Sequence, residues 1–336
     1  MSADGKNVLS MPARWKTVAC AVAALLTVGF GSFGSVAAQD ASPVAMAECD
    51  APDLAPGAPT DPGASPVAME EMDMAEEATP VAEEVEEDAG TPAEGAVADE
   101  ILAAANNLAA CVNGGDMEGA VALMTSNFLM ETFGITNPYD AVEFMTGTTF
   151  GDFSASNPRT YEDGSVSVDA TYMGSQYQLT GETWTFVDGG DYWMVDSLDG
   201  FTPEFDGDSA IVGVNLTEVT DDAGAITYGI EPNTPSVAQP EVLVFHAINA
   251  GIMDHELVVL QLPEGADPAG LMDGSIAESD VVFMGQITVA AGEQGDMVLV
   301  GLPAGMYTLV CFFPDEQGVP HFVNGMVAQF EVTAAS

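Results

Sequence analysis

From about residue 206 to the C-terminus the chain reads as strand throughout. Short apolar runs at 211–216, 242–245, 256–260, 281–283, 297–300, 307–310 and 327–332 are separated by segments rich in Gly, Pro, Asn and Asp. So many short strands within roughly 130 residues predict an all-β Greek-key sandwich. A turn is expected at Asp221-Asp222-Ala223-Gly224 between the first two strands.

The preceding segment, 97–205, changes period halfway. Ile101, Leu102, Ala105, Leu108, Ala109 and Val112 recur at helical spacing until Gly114-Gly115. Asp116 suits the N-cap of a second short helix, and Pro138-Tyr139-Asp140 opens a third that ends near Gly147. Apolar and polar residues then alternate through 165–172 and 177–186, with a hairpin turn at Gly189-Gly190 into Tyr192-Trp193-Met194-Val195. Helices followed by an antiparallel sheet make an α+β unit.

Ahead of both units, residues 39–96 carry 16 acidic residues and no aromatic, and read as a disordered acidic linker rich in Pro, Ala and Glu. Residues 1–38 read as an export signal. Lys6, Arg14 and Lys16 precede the apolar run 18–30, and Val36-Ala37-Ala38 supplies small residues for cleavage. An uncleaved anchor is the alternative reading of that run. No second apolar run of that length occurs, so the rest is expected to be soluble and exported, at the cell surface, in the periplasm or outside the cell.

Asp and Glu number 53 against 4 Lys and Arg, a formal net charge of −49, and beyond Lys16 only Arg159 is basic. Such a surface repels phosphate backbones and anionic headgroups, which excludes nucleic acid and charge-driven membrane binding. Its partner is expected to be a positively charged protein.

Past the signal the cysteines are Cys49, Cys111 and Cys311. Cys49 and Cys111 are candidates for a bridge, which leaves Cys311 over. All three histidines, His246, His255 and His321, lie in the second unit. His255 follows the phrase Asn249-Ala250-Gly251, Cys311 ends the strand 307–310, His321 comes after nine intervening residues, and Met326 directly precedes the last strand. A strand-ending Cys, a distant His, and a His and Met on the returning loop make up a type 1 copper ligand set: two imidazoles, one thiolate and a weak axial thioether. Zinc also accepts two His and a Cys, although a Met in the fourth position disfavours it. His246, inside an apolar run, is assigned to the sheet.

The Asn-Ala-Gly…His-Glu phrase, the approach Gly305-Met306-Tyr307-Thr308-Leu309-Val310-Cys311 and the His321…Met326 ending resemble those of the cupredoxins, the plastocyanin- and azurin-like blue copper proteins. The resemblance spans roughly 206–336 and implies one copper ion on His255, Cys311, His321 and Met326. The loop from Cys311 to His321 is longer than that family's usual one. Residues 97–205, with Glu182-Thr183-Trp184-Thr185-Phe186 and Asp191-Tyr192-Trp193-Met194-Val195-Asp196, resemble the NTF2-like (SnoaL-like) domain, a curved sheet cone around helices. Some relatives of that domain are enzymes, but this segment contains no His and no Lys. Acid–base work there would fall to Asp169, Glu182 or Asp196, so a noncatalytic pocket or docking module is expected, with Trp184 and Trp193 in the core.

The expected function is single-electron transfer rather than catalysis. The alternatives are a metal-free binding module, or an enzyme in the first unit with copper incidental.

Overall fold

The computed structural model describes residues 48–54, 90–220, 226–315 and 317–335. The expected export signal, most of the acidic linker and the turn at 221–224 lie outside these residues. Among the described residues no helix is long and apolar enough to cross a membrane.

A short strand β1 (Thr91–Pro92) precedes four helices, Ala96–Gly114, Met117–Ala122, Ser126–Phe133 and Pro138–Met145. Local chemistry starts three of them. The side chains of Asp116, Thr125 and Asn137 accept hydrogen bonds from the N–H groups of Gly119, Phe128 and Tyr139, which otherwise lack partners in the first turn. Four strands come next: β2 (Gly151–Thr160), β3 (Val166–Met173), β4 (Gln178–Asp188) and β5 (Trp193–Phe201). Ile101, Ala105, Leu108 and Val112 on the long helix share one buried core with Val168, Ala170, Trp184 and Phe186 of the sheet. Each buried Leu or Ile of this kind contributes about 1.5–3 kcal/mol relative to exposure. Trp193 sits at the rim instead, where its indole N–H donates to Glu100 Oε1 at 3.1 Å.

The ends of the expected linker belong to the fold. Cys49 is bonded to Cys111 on the long helix. Asp50 exchanges two backbone hydrogen bonds with the Asn107 amide. At the other end β1 pairs with β2. A covalent bridge and an amide clamp supply what the local composition lacks.

The second unit comprises β6 (Ser209–Thr220), β7 (Ile226–Pro232), β8 (Ser236–Ala238), β9 (Val242–Asn249), β10 (His255–Gln261), β11 (Val282–Val289), β12 (Gln294–Val300), β13 (Gly305–Val310) and β14 (Val327–Thr333). One sheet runs β11-β10-β13-β14-β8; in the other, β12-β9-β6-β7 continues directly from β1-β2-β3-β4. Val212, Val214, Leu216, Phe245, Leu257, Val259, Leu309 and Phe330 fill the space between them. The pairings of β6 with β9 and of β8 with β14 are parallel.

The units are therefore joined through a sheet. Leu179 and Gln178 at the start of β4 pair with Val298 and Leu299 of β12, while β5 takes the rest of β4. The Gln178 amide also reads the backbone of Gln286 on β11, donating at 2.8 Å and accepting at 2.9 Å.

The bridge from Cys49 to Cys111 closes a loop with a sequence separation of 62. Loop-closure entropy for that length corresponds to about 4 kcal/mol. The double variant Cys49→Ala/Cys111→Ala is therefore expected to lose roughly 2–4 kcal/mol in urea unfolding. A loss below about 0.5 kcal/mol would show that the bridge constrains little.

Candidate metal centre

The Asn-Ala-Gly phrase ahead of β10 is a scaffold that aims the first residue of that strand. Asn249 is buried, and its amide donates to Met253 O at 2.8 Å and Val289 O at 2.9 Å while accepting from Gly251 N at 2.9 Å. That turn delivers His255 as the first residue of β10, opposite Val289 of β11. Gly251 leaves room for the Glu218 carboxylate, which a Cβ at that position would displace.

Cys311 directly follows β13, next to β10, and the Glu256 N–H points at its Sγ at 3.5 Å. The long loop after it folds back on itself. Pro314 and Pro320 form an antiparallel bridge. Asp315 N donates to Val319 O at 2.8 Å, and the Asp315 carboxylate accepts from Gln317 N and Val319 N. The base is closed by His321 N donating to Phe313 O at 2.8 Å and Phe322 N donating to Cys311 O at 2.9 Å. The excursion is thus a small hairpin, and it returns His321 to the side of Cys311 despite a sequence separation of 10. A single 3-10 turn, His321–Asn324, then leads to Met326, whose N–H donates to His321 O at 3.0 Å and whose carbonyl accepts from Cys311 N at 3.3 Å.

These elements bring His255, Cys311 and His321 together, with one ligand atom of each within 4.8 Å of the others. His255 and Cys311 are 0 % exposed and His321 is 2 % exposed. His321 Nδ1 lies 3.5 Å from Cys311 Sγ, and the two imidazole centroids are 5.1 Å apart. The Met326 side chain is wholly buried in the core cluster that also holds Cys311. His246 stands apart on β9, where its Nδ1 contacts Asp296 Oδ1 at 2.7 Å.

Glu218, near the end of β6, reaches across from the other sheet. Its Oε2 lies 2.5 Å from His255 Nε2, and Oε1 accepts from the N–H groups of Ile252 and Met253. Burial works to raise this carboxyl, but the hydrogen bonds from His255, Ile252 and Met253 outweigh it and hold the group below its ordinary value. An ionised carboxylate only accepts, so His255 Nε2 carries a ring proton, and in the neutral imidazole the lone pair is then on Nδ1. That Nδ1 is buried with no hydrogen-bond partner among the described residues. A buried acceptor left so costs about 1–3 kcal/mol unless something occupies it. An ion between the three side chains would, and the donor set of two nitrogens and one sulfur fits copper or zinc.

The rest of the site is buried. The His321 ring stacks on Tyr228 of β7, centroids 4.2 Å apart and planes inclined by 21°. Burial and the neighbouring His255 push His321 down to about 4, so at neutral pH it offers a lone pair rather than a charge. Burial and the nearby Glu256 push the Cys311 thiol far up, so a metal must displace its proton to form the thiolate.

No family model matches the sequence, and no curated protein does. Several solved structures align with part of the chain. The dithionite-reduced auracyanin of Roseiflexus castenholzii is 14 % identical, with a TM-score of 0.24, and covers 37 % of this chain and 97 % of its own. Auracyanin A of Chloroflexus aurantiacus, a "blue" copper protein, is 12 % identical at a TM-score of 0.24, covering 38 % and 100 %. A multicopper oxidase of Campylobacter jejuni is 13 % identical at a TM-score of 0.25, covering 51 % and 41 %. Likeness this faint says nothing of chemistry, and the site must be read from its own side chains.

Sequence patterns do not reveal Glu218 or Tyr228. A carboxylate among 53 acidic residues carries no signal of its own, and Tyr228 falls in a strand without a clear apolar run.

Glu218→Gln keeps the shape but removes the charge that holds the His255 tautomer. Outer partners of this kind are worth about 10–100-fold in metal affinity. Competition titration with Cu(II) is expected to show a loss in that range, and an unchanged affinity would show that Glu218 does not position the ring.

A second prediction concerns the metal-free protein. Burial pushes Glu256 up to about 7 from its ordinary 4.5, against a favourable hydrogen bond from Phe312 N. Its stabilising contribution is therefore full below 4.5 and is lost as the pH rises through about 7. His321 works in the opposite direction, with its contribution full above 6.5 and lost as the pH falls through about 4. The difference between wild type and Glu256→Gln isolates the first effect. The variant should gain up to about 3 kcal/mol on wild type between pH 4.5 and pH 7 in urea unfolding. A difference that does not vary with pH would contradict the assignment.

Proposed function

We propose that the protein carries single electrons on one copper ion held by His255, Cys311 and His321, with Met326 as a weak axial partner. The observation that carries this reading is the buried His255 Nδ1, unpartnered among the described residues, in a side chain grouped with a cysteine and a second imidazole. When bound there, copper would supply the Cu(II)/Cu(I) couple. Every other part of the function falls to the chain. Glu218 fixes one imidazole, the hairpin 314–320 fixes the other, and β13 fixes the sulfur, so the donors have little freedom to move when the charge changes. The mixed set compromises between the nitrogen preference of Cu(II) and the sulfur preference of Cu(I). The proposed family for this unit is the cupredoxins, and for residues 97–205 an NTF2-like module that docks or binds a ligand rather than catalysing.

Two features support a carrier over an oxidase. All three histidines are accounted for, His246 by Asp296 and the other two by this site, so none is left for a second copper cluster. The net charge of −49 suits brief docking to a positively charged redox protein outside the cytoplasm, with association slowing as salt rises.

Addition of Cu(II) to the purified protein is expected to produce an intense visible absorption with one equivalent bound. Cys311→Ser should abolish the band, because the thiolate is its source, while leaving the fold intact. A colourless protein that takes up no copper would favour a metal-free binding module, and tight colourless zinc binding with no copper band would favour a zinc site.

A further inference from the structure

A partly open cavity of about 680 Å³ lies between the sheet of the first unit and the sandwich, within the roughly 300–1,000 Å³ typical of small-molecule sites. Phe150, Tyr172, Glu182 and Trp184 line it from the helix-and-sheet side, and Gln286 and Asp296 close it from the sandwich. Of the carboxylates singled out in the sequence, only Glu182 faces this space. Asp169 is bonded to Asn157 and Thr183, and Asp196 to Thr125.

Glu182 is held by one oxygen. Tyr172 OH donates to Oε2 at 2.8 Å and the Trp184 indole N–H donates to the same atom at 3.0 Å. Oε1 takes no hydrogen bond from the described residues and is the acceptor open to an occupant. The ring centroids of Tyr172 and Trp184 lie 4.6 Å and 5.4 Å from that of Phe150, so aromatic faces crowd around the carboxyl. Burial raises the Glu182 carboxyl, and among the described residues no Lys or Arg lines the cavity to answer it: the chain has no Lys beyond Lys16, and its one later Arg, Arg159, is not in the lining. An anionic ligand would meet Glu182 and Asp296 with no Lys or Arg among the described lining residues to neutralise it.

We propose that this cavity binds an organic cation, an alkyl- or arylammonium whose nitrogen sits against Glu182 Oε1 and whose apolar body lies among Phe150, Tyr172 and Trp184. The ligand supplies the missing counter-charge, and the aromatic faces add cation–π attraction in a desolvated setting. The site shares no residue with the metal centre, so each assignment stands or falls alone.

The experiment is calorimetric titration of the full chain with benzylammonium, benzyl alcohol and benzoate, which share one ring and differ in charge. Benzylammonium is expected to bind about tenfold more tightly than the alcohol, and benzoate not at all. Glu182→Gln should erase that preference. Asp199→Asn, a charge removed from the exposed surface of β5, should preserve it and so exclude the overall negative charge as its source. A readout that needs no variant is the Trp184 indole N–H resonance, which should shift with benzylammonium because it shares the carboxylate. Equal binding of cation and alcohol, a preference that survives Glu182→Gln or vanishes in Asp199→Asn, or an unmoved Trp184 signal would each overturn the proposal.

Discussion

The hydrogen bond between Glu218 and His255 joins the two sheets at the buried end of the sandwich, and the chemistry there depends on it. Without it the imidazole could protonate at either nitrogen and turn in its slot. With it, a proton is on Nε2 and the neutral ring keeps its lone pair on Nδ1, a buried atom of a side chain grouped with Cys311 and His321. The carboxylate is itself held by two backbone N–H groups of the Asn249 turn, so the loop that carries the ligand also steadies the group that orients it. A buried anion is costly alone; here it accepts three hydrogen bonds, which offset its desolvation.

The other half of the site depends on a loop that closes on itself. Nine residues between Cys311 and His321 would, if slack, leave the second imidazole free to wander. The Pro314–Pro320 bridge and the Asp315 side chain turn that length into a hairpin, so the effective connection is short. Tyr228 then covers the His321 ring and keeps water from it. A dry, pre-set trio of donors meets its ordering cost on folding rather than on metal binding, which is what low reorganisation requires of an electron carrier. The sheet shared by β4 and β12 ties this end of the molecule to the aromatic cavity, so the two units form one framework.

The parts legible in the sequence were those with a local signature. Short apolar runs between turns located the sandwich strands from β6 onward apart from β7 and β8, and the helical spacing of Ile101 to Val112 located the long helix. His255, Cys311 and His321 were legible from their order at strand ends. The parts that escaped had no local trace. Strand β2 contains Asp152 and Asn157 with positive φ, which break its ladder and its alternation. The helix Ser126–Phe133 is short and depends on its Thr125 cap and on packing. The join between units rests on Gln178 and Leu179 meeting a strand more than a hundred residues away, a choice made by tertiary contact alone. The same holds for Glu218, whose role comes from its position across the sandwich.

The central claim is that two imidazole nitrogens and one thiolate sulfur converge on a single copper ion. X-ray absorption at the copper edge of the loaded, full-length protein tests it directly. The account predicts a first shell of two nitrogen scatterers and one short sulfur scatterer. A shell of nitrogen and oxygen alone, with no sulfur, would contradict it.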